Sequence, residues 1–155
     1  LAAVMDALGK SKTPVFLKVA PDLEPADIDD IVEVGMNQKV AALIISNTTI
    51  TRPDLQSSNQ SETGGLSGAP LKDLALQRLR DFRKASGGKI PLIGVGGIAT
   101  AEDAYERIRA GASLVQLYTA MIYEGPTIAA AMGCGLTKLL KRDGFTSVSE
   151  AVGTS

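Results

Sequence analysis

Gly96 and Gly97 end a short apolar run that begins at residue 90, and the residues around them are typical of a turn that binds an anion. Glycine has no side chain, so its backbone N–H group can approach a ligand closely. Thr100 and Asp103 follow at the spacing of a capping box at the start of a helix. The segment therefore predicts a strand, a turn able to hold a phosphate, and a helix.

The helix predicted over residues 101–110 stops at Gly111, and a second β-branched run follows it. Strand, turn, helix and strand in this order indicate a βαβ unit with parallel strands. In a TIM barrel, the loops after the last two strands frequently form a phosphate site. We therefore place Tyr118 and Thr119 at the end of the second strand, facing the same ligand.

The same glycines fit two other interpretations. Residues 94–99 have the spacing G-x-G-x-x-A of a dinucleotide-binding turn, which needs an acidic residue about twenty positions later. Gln116, Tyr118 and Thr119 occupy that region, so the match is weak. The glycines could also form a tight turn with no ligand, and this alternative stays open.

Composition limits the chemistry available. With 155 residues and 45% hydrophobic content, the chain can bury one core as one domain or part of a larger one. Its 16 basic and 17 acidic residues create no strong net field, so we expect no nucleic-acid partner. The chain has no His and one Cys, which excludes internal disulfides, Cys-rich zinc sites and His-based triads. We expect no metal site.

The sequence contains no apolar run near the roughly 18 residues of a membrane span, and its start lacks the pattern of a signal peptide. A cytosolic or membrane-peripheral location fits these features. Leu1 lies within an amphipathic helical pattern that has no initiator methionine and no obvious cap. We therefore expect a fragment of a longer protein.

Two earlier predicted strands also carry polar residues where ligands bind in α/β proteins, at their carboxyl ends. Lys18 interrupts the first strand, and a lysine in a buried parallel strand normally meets a charge, although one that reaches solvent is the alternative. The second strand is apolar through Ile45 and then becomes polar at Ser46, Asn47, Thr48 and Thr49. Turn formation alone would also favour Asn and Thr.

The remaining segments complete an alternating pattern. Residues 50–69 form a loop with little periodicity, in which Ser67 and Gly68 resemble a second anion-facing turn. Helices are predicted over residues 25–36, 70–84, 125–143 and 147–150. Four strands, each followed by a helix, predict an α/β fold with a parallel sheet.

Five ordered motifs together resemble the C-terminal half of dihydroorotate dehydrogenase, over nearly all of the chain. They are Lys18-Val-Ala-Pro-Asp22, Ser46-Asn-Thr-Thr49, Ser61-Glu-Thr-Gly-Gly-Leu-Ser-Gly68, Ile93-Gly-Val-Gly-Gly97 and Gly111-Ala-Ser-Leu-Val-Gln-Leu-Tyr-Thr119. The first motif is similar to that of class 2, the quinone-linked and membrane-associated enzymes.

This resemblance implies a TIM barrel that holds FMN at its C-terminal mouth. Residues 1–155 would be strands five to eight with their helices, half of a single FMN-binding domain whose N-terminal half is absent. By resemblance, Lys18 faces the pyrimidine end of the flavin and Ser46 also contacts FMN. The backbone groups of Gly68, Gly97, Tyr118 and Thr119 hold the FMN phosphate. Asn47 and Thr48 bind the ring of dihydroorotate or orotate.

The implied activity is oxidation of (S)-dihydroorotate to orotate with quinone as electron acceptor, in de novo pyrimidine (UMP) biosynthesis. The family's catalytic base is a Ser in the first half of the barrel, so we expect this chain alone to be inactive. Quinone binding and peripheral association with the inner membrane would also come from the missing region. Two alternatives stay open: a non-enzymatic half-barrel that binds FMN or phosphate, and another flavin-dependent TIM-barrel dehydrogenase.

Overall fold

The computed structural model of the protein describes residues 1–8, 13–53 and 55–155. Its sheet consists of four parallel strands in the order β1-β2-β3-β4. The strands are β1 (Phe16–Val19), β2 (Ala42–Ile45), β3 (Leu92–Val95) and β4 (Ala112–Gln116). This arrangement confirms the predicted α/β class.

Helices precede, connect and follow the strands. They are α1 (Ala2–Leu8), α2 (Pro25–Asn37), α3 (Lys72–Ser86), α4 (Ala101–Arg109), α5 (Thr119–Glu124), α6 (Ile128–Arg142) and α7 (Val148–Ala151), with a 3-10 helix at Ala69–Leu71 that leads into α3. The four predicted helices correspond to α2, α3, α6 and α7, and the helix of the central βαβ unit corresponds to α4. No described helix has both the length and the apolar character needed to cross a membrane.

Helix α5 differs from the sequence prediction. The structure ends β4 at Gln116, and Thr119 is the first residue of α5, with Tyr118 immediately before it. The prediction that Tyr118 and Thr119 end the strand is therefore wrong. The β-branched and aromatic residues of this stretch favour a strand locally, whereas six residues form a single helical segment that stops at Gly125, where φ is +81°.

Sequential strand order distinguishes this sheet from a dinucleotide-binding fold. A doubly wound sheet reverses its strand order at the point where the nucleotide binds. Here each strand pairs with the next one along the chain, from β1 to β4. Because right-handed crossovers that proceed in one direction place every helix on one face, the arrangement is that of a barrel wall.

The two faces of the sheet differ in burial. Leu43, Ile45 and Leu92 are buried with residues of α2 and α3 in the main core. Successive side chains of a strand point to opposite faces, and on the opposite face Phe16 of β1 and Leu114 of β4 are 50% and 61% exposed. The helices therefore cover one face, and the described residues leave the other open at both edge strands.

The turn after β3 packs against the start of α3 at a position that requires glycine. Gly97 has φ +66°, and a Cβ atom there would lie 2.5 Å from Cα of Lys72. Gly87, which ends α3, has a similar φ of +57°, but a Cβ atom at this position would meet nothing within 4 Å. The two glycines share a left-handed conformation and differ in packing.

We expect Gly97→Ala to lower the free energy of unfolding by about 3 kcal/mol or more, since it combines left-handed strain with overpacking. Gly87→Ala is the control and should lose only about 1–2 kcal/mol, the cost of the backbone conformation alone. Urea denaturation of both variants measures the difference. Equal losses would contradict the close contact between Gly97 and Lys72.

Candidate functional site

A cavity of about 480 Å³ opens at the carboxyl ends of the strands. Parallel strands bring these ends to one edge of the sheet, so residues far apart in the sequence meet there. All eight residues that the sequence analysis assigned to ligands line this cavity: Lys18, Ser46, Asn47, Thr48, Gly68, Gly97, Tyr118 and Thr119. The structure thus brings together every one of these candidates.

Lys18 lies on β1, in register with Ile44 of β2, and its side chain is exposed in the cavity. The interpretation of Lys18 as a lysine buried in the strand is therefore wrong, and the described residues agree with the alternative of a lysine that reaches solvent. Lys18 alternates with Leu17 and Val19, which pack against the core, so it points to the open face of the sheet. Within the described part of the chain, its ammonium group makes no hydrogen bond or ion pair, and its three donors are available to a ligand.

The backbone after β2 is fixed by its neighbours on both sides. The amide of Ser46 donates to the carbonyl of Val95 at 3.1 Å, and the amide of Asn47 donates to the carbonyl of Val19 at 2.7 Å. Ser46 is 2% exposed, and its hydroxyl donates to the carbonyl of Asn47 at 3.1 Å. These bonds extend the sheet pairing beyond the strands, so the polar residues have a rigid base.

Asn47 and Thr48 are the exposed residues of this segment. The Oδ1 atom of Asn47 accepts the amide of Thr48 at 2.9 Å, which leaves its NH₂ group available to a ligand. The side chain of Thr48 packs against Gly65 so closely that a Cβ atom there would lie 1.8 Å from the threonine Oγ1. Gly65, two residues before Ser67 in the chain, therefore lies directly against a side chain that lines the cavity.

Thr49 does not line the cavity, although the sequence analysis grouped it with the polar residues there. It is 2% exposed, its hydroxyl donates to a carboxylate oxygen of Asp22, and the other oxygen accepts the amide of Ile50 at 3.1 Å. Thr49 also forms an antiparallel bridge with Leu66. Thr49 thus joins the start of the loop to Leu66 near its end, and Asp22 of the first motif holds Thr49 in place.

Two turns from different loops form one end of the cavity. Gly68 and Gly97 have φ values of +80° and +66°, which glycine adopts without strain. A Cβ atom on Gly68 would lie 3.0 Å from Cγ2 of Thr119, whose hydroxyl donates to Oγ of Ser67 at 3.0 Å. Thr119 lines this end of the cavity and is the first residue of α5, where an amide has no partner inside its own helix.

Asp103 fixes the turn after β3 from behind. Its carboxylate accepts the amides of Ala99 and Thr100 at 2.9 and 3.0 Å, while its own amide donates to the Thr100 hydroxyl at 3.1 Å. The same carboxylate forms an ion pair with Lys72. The predicted capping box of Thr100 and Asp103 is confirmed, and the structure adds the link to α3.

The charge states of Lys72 and Asp103 follow from their contacts. Burial by itself would raise the pKa of Asp103, but hydrogen bonds from Lys72, Ala99 and Thr100 lower the pKa below its ordinary value. The hydrogen bond to Asp103 raises the pKa of Lys72. The pair is therefore held in its ionised form at neutral pH.

Apolar residues form much of the remaining cavity wall, and the sequence analysis did not identify them. They include Leu71, Val95, Ile98, Leu117 and Ala120, with Tyr123 and Glu124 of α5 at the rim. Their positions next to the predicted polar residues were the only available signal. Apolar walls, one exposed cation and glycine turns at one end suit a ligand with a flat apolar body and an anionic tail.

Comparison with known proteins identifies relatives over nearly the whole chain. A family model described as Dihydroorotate dehydrogenase matches residues 2–140. A dihydroorotate dehydrogenase (quinone) of Novosphingobium aromaticivorans is 65% identical over 99% of this chain and 44% of the relative. The protein of the same name from Erythrobacter litoralis is 64% identical over 99% of this chain and 45% of the relative. The chain thus spans less than half the length of these relatives.

Solved structures agree with this result. The crystal structure of a DHODH from Eimeria tenella in complex with ferulenol has a TM-score of 0.86 and 45% identity, over 89% of this chain and 37% of that one. The ligand-free form has a TM-score of 0.87 and 44% identity, over 90% and 39% of the two chains. The four strands with their helices are part of a TIM barrel, as the sequence predicted.

We expect the contacts of Asp103 to make stability depend on pH in the acid range. Because the folded-state pKa is lowered, the stabilisation is present above the unfolded value near 3.8 and is lost as the pH falls through the folded value. Asp103→Asn should lower the free energy of unfolding by about 1–2 kcal/mol at pH 6, the usual cost of losing a cap. On further acidification, the free energy of unfolding of this variant should fall by less than that of the parent.

Denaturant unfolding between pH 6 and pH 3 measures both effects. Glu102→Gln is the matched control, since Glu102 is an exposed residue in the same first turn of α4. It should retain the stability of the parent at pH 6. Parallel acid profiles for the parent and Asp103→Asn would contradict the assignment.

Proposed function

Because the chain belongs to the dihydroorotate dehydrogenase family, we propose that it forms the FMN-binding part of an enzyme that oxidises dihydroorotate to orotate and reduces quinone. The main support for this proposal is the position of the residues that match the family's motifs. The eight residues that match the family's motifs, which come from four βα segments, line one cavity at the carboxyl end of the sheet. This edge is where TIM-barrel enzymes bind their ligands.

The residues present fit FMN. The cavity volume of about 480 Å³ lies within the range of roughly 300–1,000 Å³ for small-molecule sites. Leu71, Val95 and Leu117 give it apolar walls that suit a flat ring system. Backbone groups at Gly68 and Gly97, where side chains are absent, suit a phosphate.

Each protein group has a role in this proposal. The backbone groups of Gly68, Gly97, Tyr118 and Thr119 hold the phosphate. Lys18 lies at the pyrimidine end of the ring and stabilises negative charge there, since a cation placed where charge develops favours the reaction. The hydroxyl of Ser46 orients the ring. When bound, FMN supplies the acceptor for the hydride that leaves the substrate.

Asn47 and Thr48 are proposed to bind the substrate ring. The NH₂ group of Asn47 is free of protein acceptors in the described part of the chain, and the exposed hydroxyl of Thr48 can both donate and accept. Dihydroorotate has amide-like edges that need both kinds of partner. Because the backbone amide of Asn47 donates a hydrogen bond to the carbonyl of Val19, the Asn47 side chain extends from a fixed backbone position.

We propose that residues 1–155 correspond to strands five to eight of a single barrel domain. In this proposal the family's catalytic base, a Ser, belongs to the first half of the barrel, which also provides the contacts with quinone and the peripheral association with the inner membrane. Positioned general bases contribute about 10² to 10⁴ in rate. The 155 residues by themselves are therefore expected to be inactive.

A second candidate function is a non-enzymatic half-barrel that binds FMN or phosphate. The observation that favours it is that all proposed phosphate contacts lie within the 155 residues. Exposed Phe16 and Leu114 at the two edge strands would then favour pairing with another half-barrel. A third alternative is another flavin-dependent TIM-barrel dehydrogenase. The substrate selectivity of the full-length enzyme would distinguish it from the leading proposal.

The proposed reaction is tested with the full-length gene product. We expect dihydroorotate-dependent quinone reduction, and Lys18→Met should lower its rate by about 10²-fold, the usual effect of removing one group that stabilises developing charge. Lys138→Met, which removes an exposed lysine of α6, is the matched control and should keep the parental rate. An FMN-loaded gene product without this activity would overturn the proposal.

The half-barrel alternative is tested by the visible absorption spectrum of the 155-residue chain after reconstitution with FMN and extensive dialysis. Retained flavin would favour a binding module, because the turns at Gly68 and Gly97 would then suffice to hold the cofactor. A colourless and folded chain would exclude that module and favour a site that needs further strands.

A further inference from the structure

Arg107 is a buried arginine that lies behind the proposed phosphate end of the cavity. It belongs to α4 and is 1% exposed. Its Nη2 atom donates to the carbonyl of Lys72 at 2.6 Å and to the carbonyl of Gly96 at 2.9 Å. One guanidinium nitrogen therefore joins the start of α3 to the turn after β3.

The carbonyl of Gly96 belongs to one of the two turns at the proposed phosphate end, and the carbonyl of Lys72 lies in α3, close behind the other. Lys72 begins α3 directly after the 3-10 helix that follows Gly68, and Gly96 precedes Gly97. The turns come from separate loops, so nothing in the local sequence fixes the distance between Gly68 and Gly97. The double hydrogen bond of Arg107 ties the two segments together, in addition to the packing of Gly97 on Lys72 and the ion pair of Lys72 with Asp103.

The rest of the guanidinium has no comparable role in the fold. Its Nε and Nη1 atoms are buried and donate to no acceptor in the described part of the chain. Burial lowers the pKa of Arg107, and the charges of Glu106, Asp103 and Asp73 only partly offset this effect. A buried cation without a paired anion is costly, so a neutral donor would serve better if two carbonyls were its only purpose.

We propose that Arg107 is a positioning residue for the phosphate of the flavin: it holds the two turns at the spacing of the phosphate and provides a positive charge behind them. This inference rests on the proposed FMN function and deepens it. Arg107 does not line the cavity and acts through the backbone of Gly96 and Lys72. Its effect should depend on the phosphate and not on the flavin ring.

The test compares FMN with riboflavin, which has the same ring but no phosphate. Fluorescence titration of the apo form of the full-length gene product gives a dissociation constant for each ligand. We expect Arg107→Met to raise the constant for FMN by about tenfold or more, and that for riboflavin by less than about threefold. The ratio of the two constants is the readout, because loss of the ring site alone would leave it unchanged.

Two further variants complete the experiment. Arg107→Lys keeps the charge and two or more donors, so it should recover part of the preference for FMN. Arg80→Met is the control, because Arg80 is a half-exposed arginine of α3 that pairs with Glu106. It should leave both dissociation constants at the parental values.

The outcomes separate this inference from the function on which it rests. A parent that binds FMN, with an unchanged ratio in Arg107→Met, overturns the positioning role alone. Equal loss of both ligands in Arg107→Met and Arg107→Lys, including loss through unfolding, assigns Arg107 to general stability and also overturns it. A parent that binds neither ligand removes the proposed function and this inference together.

Discussion

The contact between the turn after β3 and the first residue of α3 is the constraint on which the site depends. Gly97 allows that contact because a Cβ atom there would lie 2.5 Å from Cα of Lys72. Lys72 is then held twice, through its side chain by Asp103 and through its carbonyl by Arg107. The result is a rigid junction between two βα units whose strands lie side by side. Without it, the turns at Gly68 and Gly97 would be two independent loops.

The parts of the fold that follow from local patterns could be predicted from the sequence. The helices α2, α3 and α4 have apolar periodicity and recognisable starts, such as Thr100 with Asp103. The site residues could be found for a different reason. Polar residues after an apolar parallel strand lie at one edge of the sheet whatever the details of packing. Residues such as Asn47 and Gly97 could therefore be predicted to line the same site without knowledge of any distance between them.

What the sequence did not reveal depends on contacts between distant residues. Thr49 has the same residue type as Thr48 but points to Asp22, 27 positions earlier, and no local rule distinguishes the two. Lys18 is exposed because the described residues leave its face of the sheet open, which a periodicity argument cannot detect. Arg107 lies in an amphipathic helix among other charged residues, and only the packed structure reveals its burial. The environments of Thr49, Lys18 and Arg107 are thus set by residues distant in the sequence.

The proposed distribution of roles along the chain has a physical explanation. A phosphate can be held by backbone amides, which require only correctly shaped turns, and two adjacent βα units can provide those turns together. Proton abstraction instead needs a positioned base, and the proposal places that base in the half of the barrel outside these residues. A segment of four consecutive strands can therefore contain a complete anion site and an incomplete reaction site. The open face of this sheet, with Lys18, Asn47 and Thr48 along its carboxyl edge, is what such a division would leave exposed.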